Sequence, residues 1–178
     1  MLGKYWKTVL KHAISGRATS MTQHYDPYNF NPKNSLGYLL KTNHLLMHEC
    51  ADRVLAIHDL SFIQWIALTK MKEGMAETAS DLCRSMSHDN GAITRMLDQL
   101  ESRGFVERER SQQDRRVVKL KITNSGRTKL AELTPPLIMN LNKALEPLSA
   151  TEFEELNRLL MKLKVCFEQT AADAKEPS

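Results

Sequence analysis

Aromatic residues make up only 6% of this chain. Whatever core its 178 residues bury must therefore be built mostly from Leu, Met, Ile and Val. Cysteine is scarce too: Cys50, Cys83 and Cys166 stand far apart with no CxxC among them, which argues against a disulfide scaffold and fits a reducing cytoplasm. No apolar run approaches the length of a membrane span and no signal-type hydrophobic segment is present, so the expectation is a cytoplasmic protein without membrane contact. The chain also lacks an HExxH motif, a Gly-rich phosphate loop and a nucleophile with a base in reach. Ser87-His88-Asp89 has the letters of a catalytic triad, yet consecutive residues on a helix diverge and cannot converge on one reacting atom. Neither an enzyme nor a cofactor is expected.

What is there is a localised positive charge. The chain carries a formal +4, and residues 78–130 hold 11 Lys and Arg against 7 Asp and Glu, while the remainder balances at 14 against 14. A surplus confined to one stretch favours a polyanionic partner, because each neutralised phosphate releases counterions.

That stretch has its own architecture. Thr78, with Asp81 three residues on, is a helix-start signal, and a short helix is expected from Ala79 to Met86. Ser87 reads as a second N-cap, for a helix from His88 to Arg103 that ends at Gly104. Two helices joined by a tight turn form a helix-turn-helix. Ile93, Leu97 and Leu100 share one face of the second helix, which leaves His88, Asn90, Gly91, Thr94, Arg95 and Gln99 free of core duty as a surface a major groove can receive. After Gly104 the period becomes two: Val118, Leu120 and Ile122 alternate with Val117, Lys119, Lys121 and Thr123. Phe105 to Arg110 is the partner strand, joined to it by the polar connection Ser111 to Arg116. The expected fold is mainly α with a small β-hairpin wing, a winged helix-turn-helix.

The run Thr94-Arg95-Met96-Leu97-Asp98-Gln99-Leu100-Glu101, then Arg103-Gly104-Phe105-Val106-Glu107-Arg108, then Asp114-Arg115-Arg116, then Leu120-x-Ile122-Thr123-x-x-Gly126, resembles the MarR family of bacterial transcriptional regulators in order and spacing. The resemblance covers residues 36 to 170. It implies a homodimer with interleaved N- and C-terminal helices on a pseudo-palindromic operator, repressing until a small aromatic or phenolic ligand binds. It implies DNA contacts from Ser87, His88, Asn90, Gly91, Thr94, Arg95, Gln99, Arg110, Asp114, Arg115 and Arg116. Arg115 or Arg116 would enter the minor groove from the wing tip, while Asp114 holds the second guanidinium in a salt bridge. A ligand cleft between the dimer helices and the winged helix would lie near His44, Met47, His48 and Trp65. The length and N-terminal extension are similar to multidrug-efflux repressors of that family.

The flanks read as helices. Residues 1–20 alternate apolar and basic positions with no acid before Asp26, a pattern for a short amphipathic helix, followed by an extended connector at Asp26-Pro27 and Asn31-Pro32. A long helix from Leu36 is expected to end near His58. Ser61 caps a second helix that Gly74 ends, and Met75 to Glu77 read as a small third strand beside the wing. Asn124 or Ser125 starts a further helix that Pro135-Pro136 should kink. Ser149 to Glu152 is a capping box for a last helix striped with Phe153, Leu156, Leu160, Leu163 and Phe167.

The organisation expected is an N-terminal extension (1–35), dimerisation helices (36–60 and 124–172), a winged helix-turn-helix (61–123) and a disordered tail (173–178). Two alternatives keep the fold and change the signal. A ligand-independent regulator would lack a responsive cleft. A redox or metal sensor would use Cys50, whose pKa His48 and Arg53 would lower, or the pair His44 and His48, for which the sequence supplies no second ligand cluster. No resident metal is expected.

Overall fold

A computed structural model of the chain describes residues 23–114 and 116–174; the helix expected over residues 1–20, and Arg115, lie outside these. By compactness the chain falls into two units, residues 1–42 and 43–178. In the first, Tyr25 packs edge-on against Phe30 at 5.4 Å. Asn31 is extended, as the residue before a proline must be, and its side chain caps a 3-10 turn at Pro32–Asn34. Helix α1 (Leu36–Leu55) begins here, with the Leu36 N–H donating to the Tyr25 hydroxyl at 2.8 Å.

In the second unit α1 passes into a 3-10 turn, Ala56–His58, which Asp59 stops in the left-handed region at φ 55°. Helix α2 (Phe62–Lys72) follows, capped as expected by Ser61, and Gly74 takes the left-handed turn beyond it at φ 68°. Next come α3 (Ala79–Met86), with the Thr78–Asp81 capping box in place, and α4 (Asn90–Ser102). Strands β1 (Val106–Arg110) and β2 (Val118–Ile122) pair antiparallel with Arg108 opposite Leu120. Helices α5 (Asn124–Leu145) and α6 (Ala150–Asp173) complete the chain. The core is aliphatic, as the shortage of rings requires: Leu55, Leu60, Leu68, Leu82, Leu100 and Leu137 are among its fully buried members.

Several boundaries differ from the sequence reading. Phe105 does not extend β1; it is buried at its foot, and the strand starts at Val106. The third strand reduces to one bond, from the Leu120 N–H to the Glu77 carbonyl at 2.8 Å. Helix α5 starts at Asn124, as expected, and Thr123, read as a strand residue, caps it: its hydroxyl oxygen accepts from Gly126 N–H and donates to the Gly104 carbonyl at 2.7 Å. A Cβ on Gly126 would land on the Phe105 carbonyl, which gives the Thr-x-x-Gly spacing a steric reason. Helix α5 continues across Pro135 and Pro136 although neither has an N–H to donate; beside them the Thr134 hydroxyl donates back to the Leu130 carbonyl at 2.7 Å. Helix α6 runs through Asp173, one residue into the expected tail.

Helix α6 has a strong start, since Ser149 and Glu152 form the expected capping box, yet it buries no residue. Phe153, Leu156, Leu160 and Phe167 are all exposed. Each such side chain left in water forgoes about 1.5 to 3 kcal/mol of burial, so a second apolar surface is required to hold the stripe. A chain ended at Leu148 keeps every buried residue of the core and is expected to be monomeric by light scattering where the full chain is dimeric; a truncated chain of dimer mass would put the pairing surface elsewhere.

Candidate nucleic-acid interface

The turn between α3 and α4 is longer than the sequence suggested, spanning residues 87–89. Ser87 does not cap α4. It ends α3 in the left-handed region at φ 53°, with its N–H donating to the Cys83 carbonyl. Asp89 takes the capping role two residues later, accepting from Ala92 N–H at 2.9 Å. That bond holds the Asp89 carboxyl below the usual carboxylate range. Helix α4 therefore starts at Asn90 rather than His88. His88 Nδ1 lies 2.6 Å from the Met86 carbonyl oxygen; a carbonyl only accepts, so Nδ1 carries the proton and Nε2 is the acceptor of the neutral ring.

The polar residues of α4 divide into two halves with different duties. Toward the C-terminus they are committed to the protein. Gln99 Oε1 accepts from Gln64 Nε2 at 2.9 Å. Asp98 and Glu101 clamp the Arg108 guanidinium of β1 at 2.7 and 3.0 Å. Just past the helix, Arg103 donates to the carbonyls of His58 and Asp59 and lies over the Phe105 ring, 4.8 Å from its centroid. Toward the N-terminus Asn90, Gly91, Thr94 and Arg95 are exposed. The Thr94 hydroxyl donates to the Asn90 carbonyl, and Asn90 Oδ1 accepts from the Cys83 thiol at 2.9 Å. Gln99 was expected among the groove-facing residues; although exposed, its carboxamide is engaged at the protein side.

The wing repeats the division. Lys119 pairs with Glu77 at 2.9 Å and Lys121 with Glu109 at 2.5 Å, while Leu120 and Ile122 on the other face are buried. Val118, expected on the buried face, is exposed, because it lies where the hairpin leaves the body. At the tip Asp114 Oδ1 accepts from Arg116 N–H at 2.9 Å and so shapes the turn through the backbone. The salt bridge expected of Asp114 has no counterpart with Arg116 among the described residues. Arg95, Arg110 and Arg116 are exposed, and no ion pair ties them to a carboxylate among the described residues. The sequence reading missed Gln64, Arg103 and Arg108 as the groups that fix this surface. Only the Ser61-x-x-Gln64 spacing of a capping box marked one of them in advance.

Residues 63–118 match the family model described as MarR family. The reduced form of MarR from Escherichia coli superimposes with a TM-score of 0.65 at 30% identity, over 75% of this chain and 98% of that one. The chain belongs to the MarR family. A mutant E. coli MarR complexed with operator DNA aligns with a TM-score of 0.63 at 30% identity, over 72% of this chain and 92% of that one. Among curated relatives, the transcriptional repressor MprA of E. coli K12 is 32% identical over 117 residues, 66% of each chain.

The expected ligand residues of this MarR-family chain line up as a row of rings. The His44 and His48 rings are tilted at 57° to each other with centroids 4.2 Å apart, His48 meets Phe62 edge-on at 4.8 Å, and Phe62 stacks on Trp65 at 5.7 Å. Trp65 Nε1 donates to the Thr134 hydroxyl at 3.3 Å, joining α2 to α5. Met47 is exposed beside His48 on α1. Two surface clefts, of about 590 and 370 Å³, lie elsewhere: one is lined by His58, Arg103, Phe105 and Lys129, the other by Met71, Gly74, Lys119 and Arg127. Cys50 is half-buried, and its sulfur accepts from Asn140 Nδ2 at 3.1 Å. Among the described residues no group of three or more His, Cys, Asp and Glu is placed to hold a metal.

Burial, and next the adjacent His44, hold the His48 pKa below its ordinary 6.5; Asp52 opposes them and His88 adds to them. A histidine lowered in the folded state is protonated first in the unfolded chain, so its contribution to stability is present above pH 6.5 and is lost as pH falls through 6.5 toward the folded value. His48→Phe is expected to flatten the fall in urea-unfolding midpoint between pH 7 and pH 5; a slope equal to that of the unaltered protein would show that His48 does not carry it.

Proposed function

We propose that this chain is a homodimeric, sequence-specific DNA-binding transcriptional regulator, a repressor that a small aromatic or phenolic ligand releases from a pseudo-palindromic operator. The observation that carries the DNA-binding reading is the segregation of its cations. Arg103, Arg108, Lys119 and Lys121 are engaged with carbonyls or carboxylates, whereas Arg95, Arg110 and Arg116 stand exposed, with no ion pair among the described residues, at one end of α4 and along the wing; Arg95 acts on the Asp89 carboxylate only beyond ion-pair distance. Cations held in no ion pair remain available to phosphate and base edges. The N-terminal half of α4, from Asn90 to Arg95, is read as the major-groove element with Ser87 and His88 at its entrance. The wing tip, Asp114 to Arg116, is read as the minor-groove element, where a narrow groove favours arginine.

A dimer supplies the second recognition helix, one helical turn of DNA away. It also covers the stripe that α6 leaves exposed. A regulator of this kind works in the cytoplasm with the chromosome, and no described helix is long and apolar enough to cross a membrane.

The two elements are separable by titration against operator fragments selected from the parent genome. Arg95→Ala or Asn90→Ala is expected to cost about 1 to 3 kcal/mol on operator and less on random DNA. Arg116→Ala is expected to weaken both and to reduce the salt slope by about one unit for each phosphate that the guanidinium neutralises. Unchanged binding in all three variants overturns the assignment of this surface.

The ligand reading is supported by the ring row from His44 to Trp65, which joins α1, α2 and α5 next to the DNA-reading unit. A ligand that prefers one spacing of the two recognition helices must shift operator affinity, and operator must shift ligand affinity by the same factor. Titrating aromatic and phenolic acids with and without operator, by Trp65 fluorescence in a Trp6→Phe background, is expected to give weaker ligand binding in the presence of DNA. Equal affinities would mean that occupancy does not release the repressor.

A further inference from the structure

Gln64 is one of two buried polar residues among the described residues, 7% exposed, and its carboxamide has two separate tasks. Its Oε1 accepts from Ser61 N–H at 3.0 Å, which closes the capping box of α2. Its Nε2 donates to Gln99 Oε1 on α4 at 2.9 Å. The first task is local, and any capping-box residue performs it. The second joins two helices 35 residues apart in sequence and has no role in starting α2. The same first turn of α2 is held from the other side, where Asp52 of α1 accepts from Phe62 N–H at 2.6 Å. Hydrogen bonds thus tie the start of α2 both to α1 and to the C-terminal half of α4.

We propose that Gln64 is a positioning residue for DNA reading: through Gln99 it sets the rotation of α4 about its own axis, and so the direction in which Asn90, Thr94 and Arg95 project. The inference rests on the DNA-binding reading above. The apolar face of α4, with Ile93, Leu97 and Leu100, fixes which side is buried, but apolar packing is non-directional and tolerates small rotations. A hydrogen bond is directional and weakens steeply as its angle departs from linear. A link at Gln99, one turn beyond Arg95 on the same helix, adds a buried restraint from α2 to the Asp98 and Glu101 pairs with Arg108, and together they convert a tolerant packing face into a defined angle. Base reading needs that definition, because a bidentate bond to a base edge fails with a small error in direction.

The test uses the full-length dimer and measures the ratio of affinities for operator and for random DNA. Gln64→Leu and Gln99→Leu each break the link, and each is expected to lower that ratio about ten-fold, the order of one base-edge interaction. The double variant is expected to be no worse than either single one, because both remove one bond. Ser61→Ala removes the hydroxyl that accepts from Gln64 N–H and weakens the cap while leaving Gln64 and Gln99 in place; it is expected to lower the melting temperature without changing the ratio. An unchanged ratio in both glutamine variants overturns the inference. So does a ratio that falls with melting temperature alone across all variants, which is a purely structural role, and so do additive losses in the double variant, which would mean that Gln99 touches DNA itself. If the unaltered protein does not distinguish operator from random DNA, it is the DNA-binding reading that fails instead.

Discussion

A helix that presents its polar N-terminal half to a groove cannot also be held by that half, so it has to be anchored from behind. In this chain the anchor is the C-terminal half of α4. Asp98 and Glu101 grip Arg108 of the wing, Gln99 meets Gln64 of α2, and Arg103 binds the carbonyls that end the turn after α1. Each bond reaches a different neighbour, so the helix is fixed largely through its C-terminal half; toward the N-terminus Ile93 packs in the core and Asn90 meets the Cys83 thiol of α3, while Gly91, Thr94 and Arg95 stay exposed. The wing is fixed by the same residues. Arg108 ties β1 to α4, and Thr123 ties the end of β2 to Gly104 and starts α5.

The electrostatic consequence is a sorting of cations that total charge does not show. A formal +4 spread over 178 residues is modest. Pairing Lys119 with Glu77 and Lys121 with Glu109 offsets two cations of the wing, and Arg95, Arg110, Arg116 and Arg127 are left exposed with no ion pair among the described residues. Exposed pairs of this kind add little to stability. Their effect is on where the field points, which governs the encounter with a polyanion.

The long helices connect this reading head to a surface that still needs covering. Asn140 of α5 bonds to the carbonyl and sulfur of Cys50 on α1, and Trp65 of α2 bonds to Thr134 of α5. Bonds thus join α1 to α5, α5 to α2, and α2 to α4 through Gln64. The ring row from His44 to Trp65 lies along this route, so a ligand there would act on bonds that already join the two functions.

Local signals in the sequence determined most of the elements. The boxes at Thr78 and Ser149, the cap at Ser61, the left-handed turns at Gly74 and Gly104, and the change from helical to alternating period after Gly104 all appear in the structure, because capping and periodicity involve residues within one or two turns of each other. The aliphatic core follows from composition in the same way. The errors came where two local options compete and only the surrounding chain chooses. Ser87 and Asp89 are both good N-caps, and the reversal between α3 and α4 needed one of them in the left-handed region. Thr123 lies at the end of a strand pattern yet caps α5, because Gly104 offers its carbonyl there. What tertiary structure alone decided is which polar residue bonds to a neighbouring helix. Gln99 and Arg95 lie one turn apart with similar claims on DNA, and the difference between them is Gln64, 35 residues before Gln99. No local pattern carries an interaction over that distance, since it depends on how α2 and α4 pack against the shared core.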